Sequence, residues 1–319
     1  VASGAQDLGM LLTKNGETYQ VMSGDCYHLM FDGLRENIIY SRIDNNMYVC
    51  DVTDPENPSS EPINFRGNYK PLRVDSMQTY NNEDKLVEVM DTVWFQPTGF
   101  MSQDPTALAN GETELSMVFG GIARLYYTNN SGKSWEIVPP LDGNGEYPLT
   151  GGTPTALLMT GKSSVYAGTH AGDVYKIDKT SGTFQATQLN AKGDAYVANG
   201  RIIDFAWSSS QADELVILVG TSSGSEVWMY NGEWANISAN LHHDAVINAA
   251  TRTQNGDIYL ATNIGIYYSS NKGQSWTFKV DGMGTSVVND IDYNYKSGMI
   301  RIADWGKGIF EMSVGSNSK

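Results

Sequence analysis

Short runs of alternating or continuous apolar residues recur along the chain, each bounded by Gly, Asn, Asp or Ser. No stretch sustains apolar residues at i, i+3, i+4 and i+7 between helix caps, so the pattern predicts strands and not long helices. One pairing is repeated: an apolar strand, a tight turn, and a second strand rich in Tyr, Trp or Val. It reads "NIIYSRIDNNMYVC" near Tyr40, "LSMVFGGIARLYYT" near Phe119, "SVYAGTHAGDVYKI" near Tyr166, "LVILVGTSSGSEVWMY" near Leu218, "DIYLATNIGIYYSS" near Tyr259 and "MIRIADWGKGIFEM" near Arg301. The steps from Phe119 to Arg301 average about 45 residues, the period of a four-stranded propeller blade. The opening "VASGAQDLGMLLT" reads as a further copy.

Each pair is preceded by an apolar strand such as "TALLM", "IIDFAW", "VINAAT" or "VVNDIDY". Each is followed by one such as "WEIV", "FQATQL", "EWANIS" or "WTFKV", which makes four antiparallel strands per unit, innermost to outermost. The expectation is an all-β β-propeller of seven units forming one domain over residues 1–319. The segment over about residues 52–90, with Pro55, Pro58, Pro62 and Pro71, reads as an insertion covering a face. The first unit lacks an innermost strand and the last stops at its third, near Met312. Unpaired sheet edges of this kind invite wrong pairing, so the chain is expected to be the C-terminal part of a longer protein whose upstream residues supply the missing strand.

One turn is written twice. "YYTNNSGKSW" and "YYSSNKGQSW" place Thr128, Asn130, Gly132, Ser134 and Trp135 at the same spacing as Ser269, Asn271, Gly273, Ser275 and Trp276. The chemistry of that spacing is a turn: Asn bonds local backbone amides, Gly takes a positive φ, and Trp packs beneath. "IDKTSGTF" from Ile177 to Phe184 looks like a decayed copy. The motif resembles the Asp-box, or bacterial neuraminidase repeat, on the turn between third and fourth strands of sialidase-like and sortilin-like propellers. "GAQDLG", "SGDCYHLMFD", "VYAGTHAGDVYKI" and "WGKGIF" extend the resemblance, in the same order, to the C-terminal half of large secreted repeat proteins. Those include two-propeller xyloglucan-cleaving endoglucanases and sortilin-like surface proteins.

Composition narrows the partners. With 36 acidic against 21 basic residues, the net charge of -15 repels nucleic acid and anionic lipid surfaces. No window is long and apolar enough to insert in a membrane as a helix. Secretion or display at the cell surface is the expected location, in keeping with the resemblance. A sialidase clusters three arginines around its ligand's carboxylate; with eight arginines in all and no "RIP"-like entry, this chain is a poor match.

In a propeller, the turns from second to third strand and from fourth strand to the next blade meet on one face. Those turns carry Gln6, Asp7, Asp25, Tyr27, His28, Asp44, Asn45, His170, Asn263, Asp304 and Trp305. Carboxylates with interspersed aromatics suit a carbohydrate, with rings as flat apolar contacts and carboxylates accepting hydroxyl hydrogen bonds; a protein ligand is the other partner considered. The favoured reading is a secreted or surface-displayed binding module using this rim. The alternative is the C-terminal propeller of an endo-acting glycoside hydrolase, which needs two opposed carboxylates. The resemblance implies one from each propeller and matches Asp25, in "SGDCYH", to the second-propeller member, so its partner would lie in an upstream domain. Cys26, Tyr27 and His28 stand where relatives often have glycines, and no catalytic residue is assigned to this chain alone.

His242, His243 and Asp244 invite a metal reading. Adjacent strand residues point to opposite faces, so these residues read as surface loop, and no metal or cofactor is expected. Asn129 and Asn236 open glycosylation sequons. Cys26 and Cys50, the only cysteines, fall at opposite ends of a first and a third strand, so both thiols are expected to be free.

Overall fold

The protein, seen in a computed structural model, is described at residues 1–5, 7–43, 46–63, 77–80, 86–89, 101–120, 125–138, 154–190, 200–279 and 283–314. It is an all-β seven-bladed propeller of antiparallel sheets. The first blade has three strands, Ala2–Ala5, Gly9–Lys14 and Glu17–Met22, and the last has Val288–Asn294, Met299–Asp304 and Gly308–Ser313. The five blades between them have four strands each. Among the described residues the helical content is one 3-10 turn at Ser209–Gln211.

The fifth blade shows how sequence sets position within a sheet. Its second strand, Leu215–Thr221, is a continuous apolar run buried from Leu215 to Val219, as a strand covered on both faces requires. Its outer strand, Trp234–Asn236, is short and largely exposed, which limits the unpaired edge offered to other chains. Cores form between neighbouring blades: Val216, Leu218, Val227 and Met229 of the fifth pack with Ala250, Ile258, Leu260, Tyr267 and Trp276 of the sixth. Tyr40 and Met47 of the second blade likewise pack with Met101, Met117, Tyr126 and Trp135 of the third.

Part of the segment expected to be an insertion belongs to a blade. Ser59–Pro62 pairs with Asn46–Asp51 as the outer strand of the second blade, Tyr48 opposite Pro62. An edge strand needs no amide on its solvent side, so proline is compatible there. Beyond it, Met77–Tyr80 and Leu86–Val89 pair as a separate two-stranded sheet.

Cys26 and Cys50 are both buried and free. Cys26 lies opposite Ile43 and Cys50 opposite Ile39, on either side of the same middle strand. Burial pushes the Cys50 thiol up to about 12 and raises Cys26 as well.

Candidate functional site

The chain divides into two compact units, residues 1–167 with 175–187 and residues 168–174 with 188–319. In the first unit, Asp25 holds its neighbours together. Its carboxylate accepts the Asp7 backbone N–H at 2.7 Å and the Tyr27 hydroxyl at 3.1 Å. Asp7, at φ 62, is the left-handed corner of the turn that this bond fixes. Leu8 and Gly24 form a parallel bridge beside it, and an added Cβ at Gly4 would lie 2.8 Å from Cys26 O and Sγ. This close approach explains glycine at position 4. The Tyr27 ring covers the Arg42 guanidinium at 4.9 Å, and Arg42, buried, lies opposite His28 on the neighbouring strand. Burial lowers the Arg42 pKa. Asp7, Asp25, Tyr27 and His28 thus come together, with Arg42 as a member that the rim reading missed. Asp44, Asn45 and Gln6 lie outside the described residues.

In the second unit, four second strands end at an equivalent slot before a turn, occupied by Thr169, Thr221, Thr262 and Asp304, of which Thr169, Thr262 and Asp304 are buried and Thr221 is half-buried. Thr169 Oγ1 accepts the Asp173 N–H at 3.0 Å. Thr221 Oγ1 and Thr262 Oγ1 donate to the carbonyls of Gly224 and Gly265 at 3.2 and 2.7 Å. At Asp304 the slot holds a carboxylate; the residue is 7% exposed, and neither oxygen has a hydrogen-bond partner among the described residues.

The residue after the slot takes two different directions. Asn263 turns back: its N–H donates to Val246 O at 3.0 Å, its Oδ1 accepts the Val246 N–H at 2.9 Å, and its Nδ2 donates to Asp244 O at 3.2 Å. Trp305 makes the equivalent backbone bond, to Val287 O at 2.8 Å, but the residue is 73% exposed. Lys307 Nζ donates to Met283 O at 2.7 Å, and Gly306 and Gly308 take φ of 90 and 95 to close the turn. Val287, beside Trp305, is 39% exposed. His170 is exposed on the turn closed by the Gly172 N–H to Thr169 O bond.

The twice-written turns have the same wiring. Asn130 Oδ1 accepts the Thr128 hydroxyl at 2.8 Å and the Ser134 N–H at 3.0 Å, while Nδ2 donates to Ser134 Oγ at 2.7 Å. Asn271 repeats this with Ser269 and Ser275 at 2.9, 3.0 and 2.8 Å. Gly132 and Gly273 take φ of 80 and 77. Trp135 and Trp276 are each 4% exposed, buried in the cores between blades. Trp276 Nε1 donates to Ile237 O at 2.7 Å and its N–H to Asn240 Oδ1, also at 2.7 Å, tying the sixth blade to the end of the fifth. These side chains are engaged within the fold.

Sequence reasoning also passed over carboxylates on the innermost strands. Asp204 accepts the Ala250 N–H at 3.0 Å and the Phe205 N–H at 2.8 Å, yet burial pushes it up to about 7. Burial, with the charge of Asp290 second, raises Asp292 to about 6. The signal was present as one aspartate breaking the apolar run "IIDFAW" and two breaking "VVNDIDY". Among the described residues no helix is long and apolar enough to cross a membrane.

No family model and no curated protein matches the chain. Solved structures share its fold. The extracellular domain of BT4673 of B. thetaiotaomicron, described as a one component system, aligns with a TM-score of 0.60 at 13% identity, covering 96% of this chain and 36% of that one. The chain therefore spans about a third of that protein's resolved length. YCF48 bound to D1 peptide aligns with a TM-score of 0.54 at 15% identity, covering 92% of this chain and 80% of that one. YCF48 from Cyanidioschyzon merolae aligns with a TM-score of 0.57 at 12% identity, with 90% and 81% covered.

Proposed function

We propose that this propeller is an extracellular or surface-displayed binding module that takes a polar ligand, a carbohydrate first, at the turn carrying Asp304 and Trp305. One observation carries the reading: an indole 73% exposed follows a buried carboxylate that has no hydrogen-bond partner among the described residues. An exposed ring offers a flat face for a sugar ring or a proline, and a partnerless carboxylate gains most from a hydroxyl or amide donor. Extracellular placement draws support from the likeness to the BT4673 extracellular domain. A peptide ligand is the second reading, favoured by the structure of YCF48 with a peptide.

Asp25 supports this reading over hydrolysis. Its oxygens hold the Asp7 amide and the Tyr27 hydroxyl, a structural use of the carboxylate. Incubation with xyloglucan should leave the polysaccharide intact, and cleavage abolished by Asp25→Asn would restore the hydrolase reading. Binding is tested on glycan and peptide arrays with the wild type beside Trp305→Ala. Hits lost in the variant support the site; hits retained at full intensity place the contact elsewhere.

A further inference from the structure

The structure assigns His242, His243 and Asp244 a second role: we propose that they bind one divalent transition-metal ion of the Zn²⁺, Ni²⁺ or Cu²⁺ class. The objection in the sequence was that adjacent strand residues face opposite ways. His243 and Asp244 instead form a turn ahead of the strand Ile247–Arg252. Both imidazoles lie on one side, centroids 4.5 Å apart and planes 29° from parallel. One ligand atom from each of the three residues lies within 4.8 Å of the others.

The distances suit a small coordination shell. Tetrahedral donors at about 2.0–2.1 Å from Zn²⁺ sit about 3.3 Å from one another. Here His243 Nε2 is 3.2 Å from Asp244 Oδ1, and His242 Nδ1 is 3.8 Å from Asp244 Oδ2. His242 Nδ1 accepts the Asp244 N–H at 3.3 Å, a long hydrogen bond that an ion at this lone pair would replace. Two imidazoles and one carboxylate form a donor set that prefers Zn²⁺, Ni²⁺ or Cu²⁺ to Mg²⁺ or Ca²⁺, which take oxygen ligands. All three side chains are more than half exposed, which leaves a path for entry and positions open for water or a further ligand.

The backbone beneath is fixed. The Ala245 N–H donates to His242 O at 2.9 Å, and Asn263 Nδ2 donates to Asp244 O at 3.2 Å. Closing the donors on an ion requires His242 Nδ1 to release the exposed Asp244 N–H to water, and a net charge of -15 raises the local concentration of cations.

The experiment is calorimetric titration of the purified protein with ZnCl₂, and with CuCl₂ followed by electron paramagnetic resonance. One ion should bind per chain at micromolar concentration, with nitrogen hyperfine structure in the copper spectrum. His242→Ala and His243→Ala should each weaken Zn²⁺ at least about tenfold, and Asp244→Asn should weaken it by less, with melting temperatures unchanged since all three side chains are exposed. Binding only at millimolar concentration overturns the proposal. So does undiminished binding in the His242→Ala, His243→Ala double variant, which would place the ion away from this turn.

Discussion

Replacing Asn130 by alanine removes three hydrogen bonds at once: those from the Thr128 hydroxyl and Ser134 N–H to Oδ1, and that from Nδ2 to Ser134 Oγ. At about 1 kcal/mol net each, the ceiling is about 3 kcal/mol; Asn130 is half-buried and water replaces part of this, so the expected loss is about 2 kcal/mol. Asn271 makes the same bonds but is exposed, so its alanine variant should lose about 1 kcal/mol. Aspartate at 130 still accepts from Thr128 and Ser134 N–H, and the Ser134 hydroxyl can rotate to donate, so Asn130→Asp should stay within about 0.5 kcal/mol of wild type. Urea denaturation reads all three as midpoint shifts at constant slope. A neutral Asn130→Ala, or an Asn130→Asp as damaging as alanine, would show that these bonds do not hold the turn.

Two further predictions concern buried groups. In native protein neither Cys26 nor Cys50 should react with a thiol reagent, and both should react after unfolding without reductant; fewer than two thiols then would show a disulfide. Asp204 is raised to about 7 when folded against about 3.9 unfolded, so the folded state holds the extra proton between those values. Its stabilising contribution is complete below about pH 4 and is lost as pH rises to about 7, by as much as about 4 kcal/mol, because burial outweighs its two amide donors. Denaturation from pH 4 to 8 should show that fall in the wild type and a flatter profile in Asp204→Asn; parallel profiles would contradict it.

Much of the fold was legible because its causes are local. "LVILV" reads as a second strand since a strand covered on both faces has no polar side to alternate with. The turns at Asn130 and Asn271 can be read from a short phrase because each phrase contains its own donors and acceptors. The candidate site was less legible because residue type does not tell direction. Asn263 and Trp305 follow equivalent slots, yet one side chain clamps a neighbouring loop and the other projects into solvent. Arg42 was missed because its partner Tyr27 is 15 positions away in sequence and meets it only through strand pairing. The outer strand Ser59–Pro62 is hard to read from sequence because it is polar, exposed and ends in proline, all of which an edge strand tolerates.

The claim that ligand meets the chain at Asp304 and Trp305 is tested most directly by the Trp305 indole N–H in a ¹H–¹⁵N correlation spectrum, assigned with Trp305→Ala and titrated with the strongest array hit. The account predicts that this resonance shifts and saturates with the ligand, while those of the buried Trp135 and Trp276 stay in place. A Trp305 signal unmoved at saturating ligand would contradict it.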